Sequence, residues 1–170
     1  KLKGGNLPIG YAVTMDDYRA ALKQAGIDDA GQGDVVLIRM GWNDLWRDNL
    51  KKTAAQANAD NATFNSGGPG VSPEVCDHLA SRKIAMMGAD NWGIEPYDFG
   101  SKGEWPTPID EIKEWGYCHM NLSARRGIYL FENLNLKDLG ERGPSEFLFT
   151  WSPLKLVGAT GSPGNPIAAW

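Results

Sequence analysis

The chain predicts a mixed α/β fold, on three observations. Val35-Val36-Leu37-Ile38-Arg39 and Lys83-Ile84-Ala85-Met86-Met87-Gly88 are short apolar runs, the pattern of strands covered on both faces. Helix starts precede such runs. Thr14-Met15-Asp16-Asp17 has a threonine cap with aspartates at the positive end of the helix dipole, and Ser72-Pro73-Glu74 has a serine cap with proline at the first position. Helix-like and strand-like segments therefore alternate along the chain.

The elements follow in order. Residues 1–10 are glycine-rich and polar and read as a loop. The first helix carries Tyr18, Ala21, Leu22 and Ala25 at helical spacing and stops at Gly26. Gly33-Asp34 turns into the first apolar strand. Residues 41–50 read as a short aromatic helix with Trp42 and Trp46 one turn apart. Residues 51–70 are weakly patterned and rich in Ala, Asn and Gly, which predicts a long surface loop. The helix that starts at Ser72 carries His78 and ends near Ser81, and the second strand follows it. Asp90-Asn91-Trp92-Gly93 stands at that strand's C-terminal end, where loops often carry function. Residues 96–108, with Trp105, are a further loop. Cys118-His119-Met120-Asn121-Leu122-Ser123-Ala124-Arg125-Arg126 reads as a short helix stopped by Gly127, and Ile128-Tyr129-Leu130-Phe131 as a buried strand with Glu132 just past it. A helical turn at Lys137-Asp138-Leu139 is expected to stop at Gly140. Phe147-Leu148-Phe149 and Leu154-Lys155-Leu156-Val157 read as two late strands with no helix between them, so the sheet is not expected to be purely parallel.

Composition narrows the function. The chain has 170 residues, of which 42% are apolar, enough for one domain with its own core. Lys and Arg number 17 against 21 Asp and Glu, a net charge of -4 without the basic clusters that a nucleic-acid surface needs. No run is apolar enough to span a membrane, and no signal peptide is visible. Cys76 and Cys118 are too far apart for a zinc finger or dithiol motif, so they read as two packed thiols in a reduced, cytoplasmic protein.

Several motifs are weighed against blander explanations. Gly158-x-x-Gly161 lacks the Gly-Lys-Ser/Thr end of a phosphate loop and reads as a tight turn. His78, beside Asp77 on a capped helix, reads as a solvated surface side chain. No Gly-x-Ser-x-Gly elbow presents a nucleophilic serine. Asp90 and Glu95 flank Trp92 as a carboxylate pair capable of acid–base work; the simpler reading has Asp90 capping the loop and Glu95, before Pro96, facing solvent. His119 and Glu132 stand at the two ends of a helix–strand unit that one turn of chain can fold back on itself. Imidazole and carboxylate together suit zinc or manganese, although two ligands are too few for a catalytic site.

Four segments carry a family resemblance: Gly33-Asp34-Val35-Val36-Leu37-Ile38-Arg39-Met40-Gly41-Trp42, then Gly88-Ala89-Asp90-Asn91-Trp92-Gly93-Ile94-Glu95, then His119 through Leu136, then Phe147-Leu148-Phe149 on to Pro163. In that order they resemble the cyclase family of metal-dependent hydrolases, which includes bacterial kynurenine formamidase, isatin hydrolase and trans-dienelactone hydrolase. The resemblance implies a swivelling β/β/α fold and hydrolysis of a small amide, formamide or lactone by metal-bound water. It also implies a homo-oligomer. The family's His-x-Gly-Thr-His-x-Asp metal motif is absent, so residues 1–170 are expected to be the C-terminal part of one such domain. The missing segment would then have to come from upstream or from a separate chain. By the resemblance, His119 and Glu132 complete the metal site, His119 as ligand or acid–base partner and Glu132 as ligand or orienting group. Trp92 is a candidate substrate contact, and Trp42, Trp46, Trp92 and Trp105 suggest an aromatic-walled pocket or plain core packing. The other class of function is a binding or structural chain, inert without the upstream segment.

Overall fold

The computed structural model describes residues 5–47, 51–99 and 116–170. Trp105 and part of the loop expected around it lie outside the described residues. The fold is mixed α/β, built around a parallel three-stranded sheet. Its strands are β2 (Val35–Ile38), β5 (Met86–Ala89) and β7 (Tyr129–Phe131), with β5 in the middle. Val35 pairs with Met86 and Gly88 with Phe131. Gly88 is required at the centre because a Cβ there would run into the side chains of Leu37 and Leu134.

Helix α1 (Met15–Ala25) starts as its sequence predicts. Thr14 and Asp17 form a reciprocal capping box, and Gly26 ends the helix at φ 67°. Helix α4 (Pro73–Ser81), capped by Ser72, turns Val75, Cys76, Leu79 and Ala80 into the core. Val71, Met87, Ile94, Cys118 and Leu122 join them there. A short strand, β1 (Ala12–Val13), pairs in parallel with β4 (Gly70–Val71). Another, β3 (Gly67–Gly68), pairs antiparallel with β6 (Tyr97–Asp98).

The structure corrects several expectations. Residues 51–70 are no surface loop: Ala54–Ser66 form helix α3, opened by a Thr53–Gln56 capping box. The helix buries no residue, so it has no apolar periodicity to betray it; only its cap does. Gly67–Gly70 behind it are buried, and a Cβ on Gly70 would collide with the Glu95–Pro96 backbone. Of the aromatic helix expected over residues 41–50, the described residues form α2 (Asp44–Arg47), and residues 48–50 lie outside them. Helix α5 (Lys137–Arg142) runs through Gly140 and stops at Gly143, with Gly140 set against the Arg39 side chain. β8 (Leu148–Thr150) pairs antiparallel with β9 (Ile167–Ala169), while residues 154–157 form no strand. Gly158 lies in a turn at φ 76° with no helix after it. The two faces of residues 35–39 are also less covered than an apolar run predicts: β2 is half-buried along its whole length, whereas β5 is buried throughout.

The cysteines are not free thiols. Cys76 of α4 and Cys118 form a disulfide across 42 residues of sequence. In the chain-entropy account, closing a loop of that length stabilises by about 4 kcal/mol. Sequence spacing could not reveal the pair, because the two residues meet only through the packing of α4.

Candidate active site

Three residues converge beyond the C-terminal ends of β5 and β7. The first, Glu95, comes from the segment after β5. Asp90 opens that segment as a buried carboxylate and accepts the backbone N–H groups of Met40 and Gly41 at 2.7 Å each. Burial pushes its acid up to about 6 against the pull of those two bonds. Asn91 donates to the carbonyl of Pro69 at 2.7 Å. Ile94 then adopts φ 49°, a left-handed conformation that a β-branched residue rarely takes. That turn sends Glu95 inward, and its side chain is 3% exposed. The sequence expectation that Glu95 faces solvent is therefore wrong, and Asp90 caps the Met40–Gly41 turn after β2.

The second residue, His119, opens a π-helix (His119–Ala124) directly after Cys118. Single π turns of this kind are frequent at functional sites. Its backbone N–H donates to Glu95 Oε1 at 2.8 Å, and its ring Nδ1 lies 2.7 Å from Glu95 Oε2. The third, Glu132, follows β7. Asn133 behind it takes φ 54° and donates its N–H to the Asn91 carbonyl at 2.7 Å, tying the two strand ends together. Glu132 Oε1 lies 3.2 Å from His119 Nε2.

His119 thus stands between two carboxylates, one on each ring nitrogen. Glu132 first and Glu95 second raise its pKa to about 10, against the opposing effect of partial burial. Sequence reasoning named all three residues but paired Glu95 with Asp90. The partner is His119, 24 positions on. The local signal was a second carboxylate, Glu95, five residues after Asp90 at a strand's C-terminal end.

Aromatic side chains cluster beside the segment that carries Glu95. Trp92 is half-buried, packs on Tyr97 at 4.2 Å and Phe99 at 5.5 Å, and donates its indole N–H to the Phe64 carbonyl at 3.3 Å. Trp42 is buried and stacks on Phe64 at 6.4 Å, while Trp46, half exposed, meets the same ring at 5.9 Å. The Trp42 indole nitrogen, the Tyr97 hydroxyl and the Asn91 side-chain oxygen Oδ1 are buried without a hydrogen-bond partner. Burial raises the Tyr97 phenol well above its ordinary value, and the nearby Glu132 charge adds to that.

The other histidine, His78, is not a free surface side chain as its position predicts. Its Nε2 lies 2.7 Å from Asp29 Oδ2, and Tyr18 donates to the other Asp29 oxygen at 2.6 Å.

The sequence model of the Cyclase family, described as "Putative cyclase", matches residues 6–96. The chain belongs to this family. The matched stretch contains Asp90, Trp92 and Glu95 and ends before His119. No curated protein matches the chain. A solved structure described as a novel cyclase is 28% identical with a TM-score of 0.74, over 99% of this chain and 50% of that one. An isatin hydrolase bound to the product analogue thioisatinate is 22% identical with a TM-score of 0.65, over 95% and 53%. A potential metal-dependent hydrolase with cyclase activity is 21% identical with a TM-score of 0.56, over 94% and 59%. These likenesses establish the cyclase-type α/β fold. The chain spans about half the length of the cyclase structure that it matches.

Proposed function

We propose that this chain supplies part of the active site of a metal-dependent hydrolase acting on a small amide, formamide or lactone. His119 Nε2 and Glu132 are the donors it offers to a divalent metal, zinc or manganese. The supporting observation is the placement of His119. Glu95 holds Nδ1, which fixes the ring and leaves Nε2 directed at a second carboxylate. A carboxylate behind a histidine is the usual support for a metal-binding imidazole. One nitrogen and one carboxylate oxygen side by side suit a borderline cation.

When bound, such a metal lowers the pKa of a coordinated water and polarises a carbonyl. The chain's own residues do the rest. Glu95 sets the tautomer and angle of His119. Glu132 adds negative charge beside Nε2. Trp92 forms a wall for the substrate, and the unpartnered Tyr97 hydroxyl and Trp42 indole N–H are donors available to its polar atoms. Among the described residues no group of three His, Cys, Asp or Glu side chains is placed to hold a metal. Further donors would come from outside the described residues, as a further segment or a separate chain could supply. That same observation favours the second reading, a chain that binds or supports and is inert by itself.

The surroundings refine other expectations. Leu154, Leu156, Val157 and Trp170 are exposed, an apolar surface that suits burial against another segment or a second copy. No helix among the described residues is long and apolar enough to cross a membrane. The disulfide favours an oxidising compartment over the cytoplasm. The test is metal analysis and a screen of amides, formamides and lactones on the full-length protein, with and without chelator. Full turnover after complete metal removal would overturn the reading.

A further inference from the structure

The turn of chain that carries His119 is fastened to helix α4 at three places. Cys118, the residue before His119, is bonded to Cys76. Tyr117 donates its hydroxyl to Asp77 Oδ1 at 2.8 Å, and Asn121 donates its amide N–H to the same oxygen at 2.6 Å. Adjacent α4 residues, Cys76 and Asp77, thus grip the positions on both sides of His119. The grip is built rather than incidental: both cysteines are fully buried, and Asn121 is 3% exposed. The π-helix that begins at His119 has no side-chain cap of its own. Arg126 braces its far end by bonding the Asn121 side chain and, at 2.9 Å, the Asn121 carbonyl. The loop closed by the disulfide, residues 76–118, also contains Glu95.

We propose that the Cys76–Cys118 disulfide, with Asp77 beside it, is a positioning clamp for His119, so that the oxidation state of this cysteine pair sets how firmly the site holds a divalent cation. The proposal rests on the metal-donor reading above for its effect on the cation, and on the contacts alone for its effect on the turn. Opening the clamp transfers two electrons and two protons from a dithiol reductant to the two sulfurs. The S–S bond breaks, two thiols form, and the reductant closes to its own disulfide. Because both sulfurs are buried, this requires the turn to lift from α4, the same movement that would displace His119.

The experiment uses the full-length protein in oxidised form, after reduction with a phosphine, and as Cys76→Ala/Cys118→Ala. The phosphine leaves as its oxide, with water supplying the oxygen and the two protons. Mn²⁺ affinity is measured by titration, and amide hydrogen exchange is followed in residues 117–124 and, for comparison, in β2. The clamp predicts faster exchange in residues 117–124 with β2 unchanged, and Mn²⁺ affinity weaker by about 10–100-fold, the range for groups that support a metal ligand. Reoxidation restores both, and the phosphine has no effect on the double variant. Asp77→Ala, which keeps the disulfide and guards against a variant that fails to fold, shows a smaller loss. Asp77→Asn, which keeps the acceptor oxygen, shows less still. Unchanged exchange and unchanged Mn²⁺ affinity in both reduced and variant protein overturn the proposal. Faster exchange in protein that binds no Mn²⁺ in any form supports the clamp and removes the metal-donor reading instead.

Discussion

The two histidines of this chain begin from the same contact and end in different situations. Each has a ring nitrogen 2.7 Å from a carboxylate oxygen. His78 has one such carboxylate, Asp29, whose other oxygen is taken by Tyr18. That arrangement ties helices α1 and α4 to the loop between α1 and β2, and every strong partner in it is used. His119 has a carboxylate on each nitrogen, and one of them, Glu95, is almost wholly buried. Two acids facing one imidazole is more negative charge than a neutral ring needs. It makes a stable home for an added proton, or for a cation in its place. The difference separates a structural pin from a candidate site more clearly than burial does, since His119 is the more exposed of the two at 46% against 27%.

The largest expected effect is at His119. His119→Ala in the full-length protein should reduce turnover by about 10²–10⁴-fold. His78→Ala should leave turnover intact, as a steady-state assay of both variants would read. Next comes Glu132→Ala, expected to weaken metal affinity or turnover by about 10–100-fold, with Glu95→Gln in the same range because the amide can no longer support the ring as an anion. Metal titration orders these variants. If Glu95→Gln instead proves silent for metal and lowers only the melting temperature, His119 and His78 are the same kind of pin. A smaller effect is expected on the structural side: His78→Ala should cost about 0.5–1.5 kcal/mol in chemical denaturation.

The smallest effects divide the two pins by pH. The folded pKa of His119 is raised to about 10 by Glu132 and then Glu95, so in metal-free protein its contribution to stability is complete below about 6.5 and fades as pH rises through about 10. Partial exposure of the ring keeps that contribution modest. For Asp29, burial pushes upward, but the bonds from Tyr18 and His78 prevail and the pKa is lowered. Its contribution is present above the ordinary aspartate value and is lost as pH falls through the lowered one. Denaturation profiles should therefore lose the His119 pin on the alkaline side and the Asp29 pin on the acid side. His119→Ala and Asp29→Asn should each flatten one limb only.

The sequence carried part of this. The apolar runs at β2 and β5, the caps at Thr14 and Ser72, and the family resemblance were legible because each rests on neighbouring residues. His119 and Glu132 were legible through the resemblance. Helix α3 was missed because a helix that buries nothing has no apolar stripe, leaving only the Thr53–Gln56 cap. The disulfide, the Asp29–His78 pair and the Glu95–His119 pair were missed for a different reason. Each joins residues 24 to 49 positions apart, and only the tertiary fold sets those distances. Ile94 is a further case, since no local preference predicts a buried isoleucine at positive φ.

The most direct test of the central claim is anomalous diffraction from crystals of the full-length protein grown with Mn²⁺ or Zn²⁺. A metal peak is expected about 2.0–2.2 Å from both His119 Nε2 and a Glu132 carboxylate oxygen, with Glu95 still bonded to Nδ1. A fully occupied metal bound elsewhere, with His119 and Glu132 still paired only to each other, would contradict it.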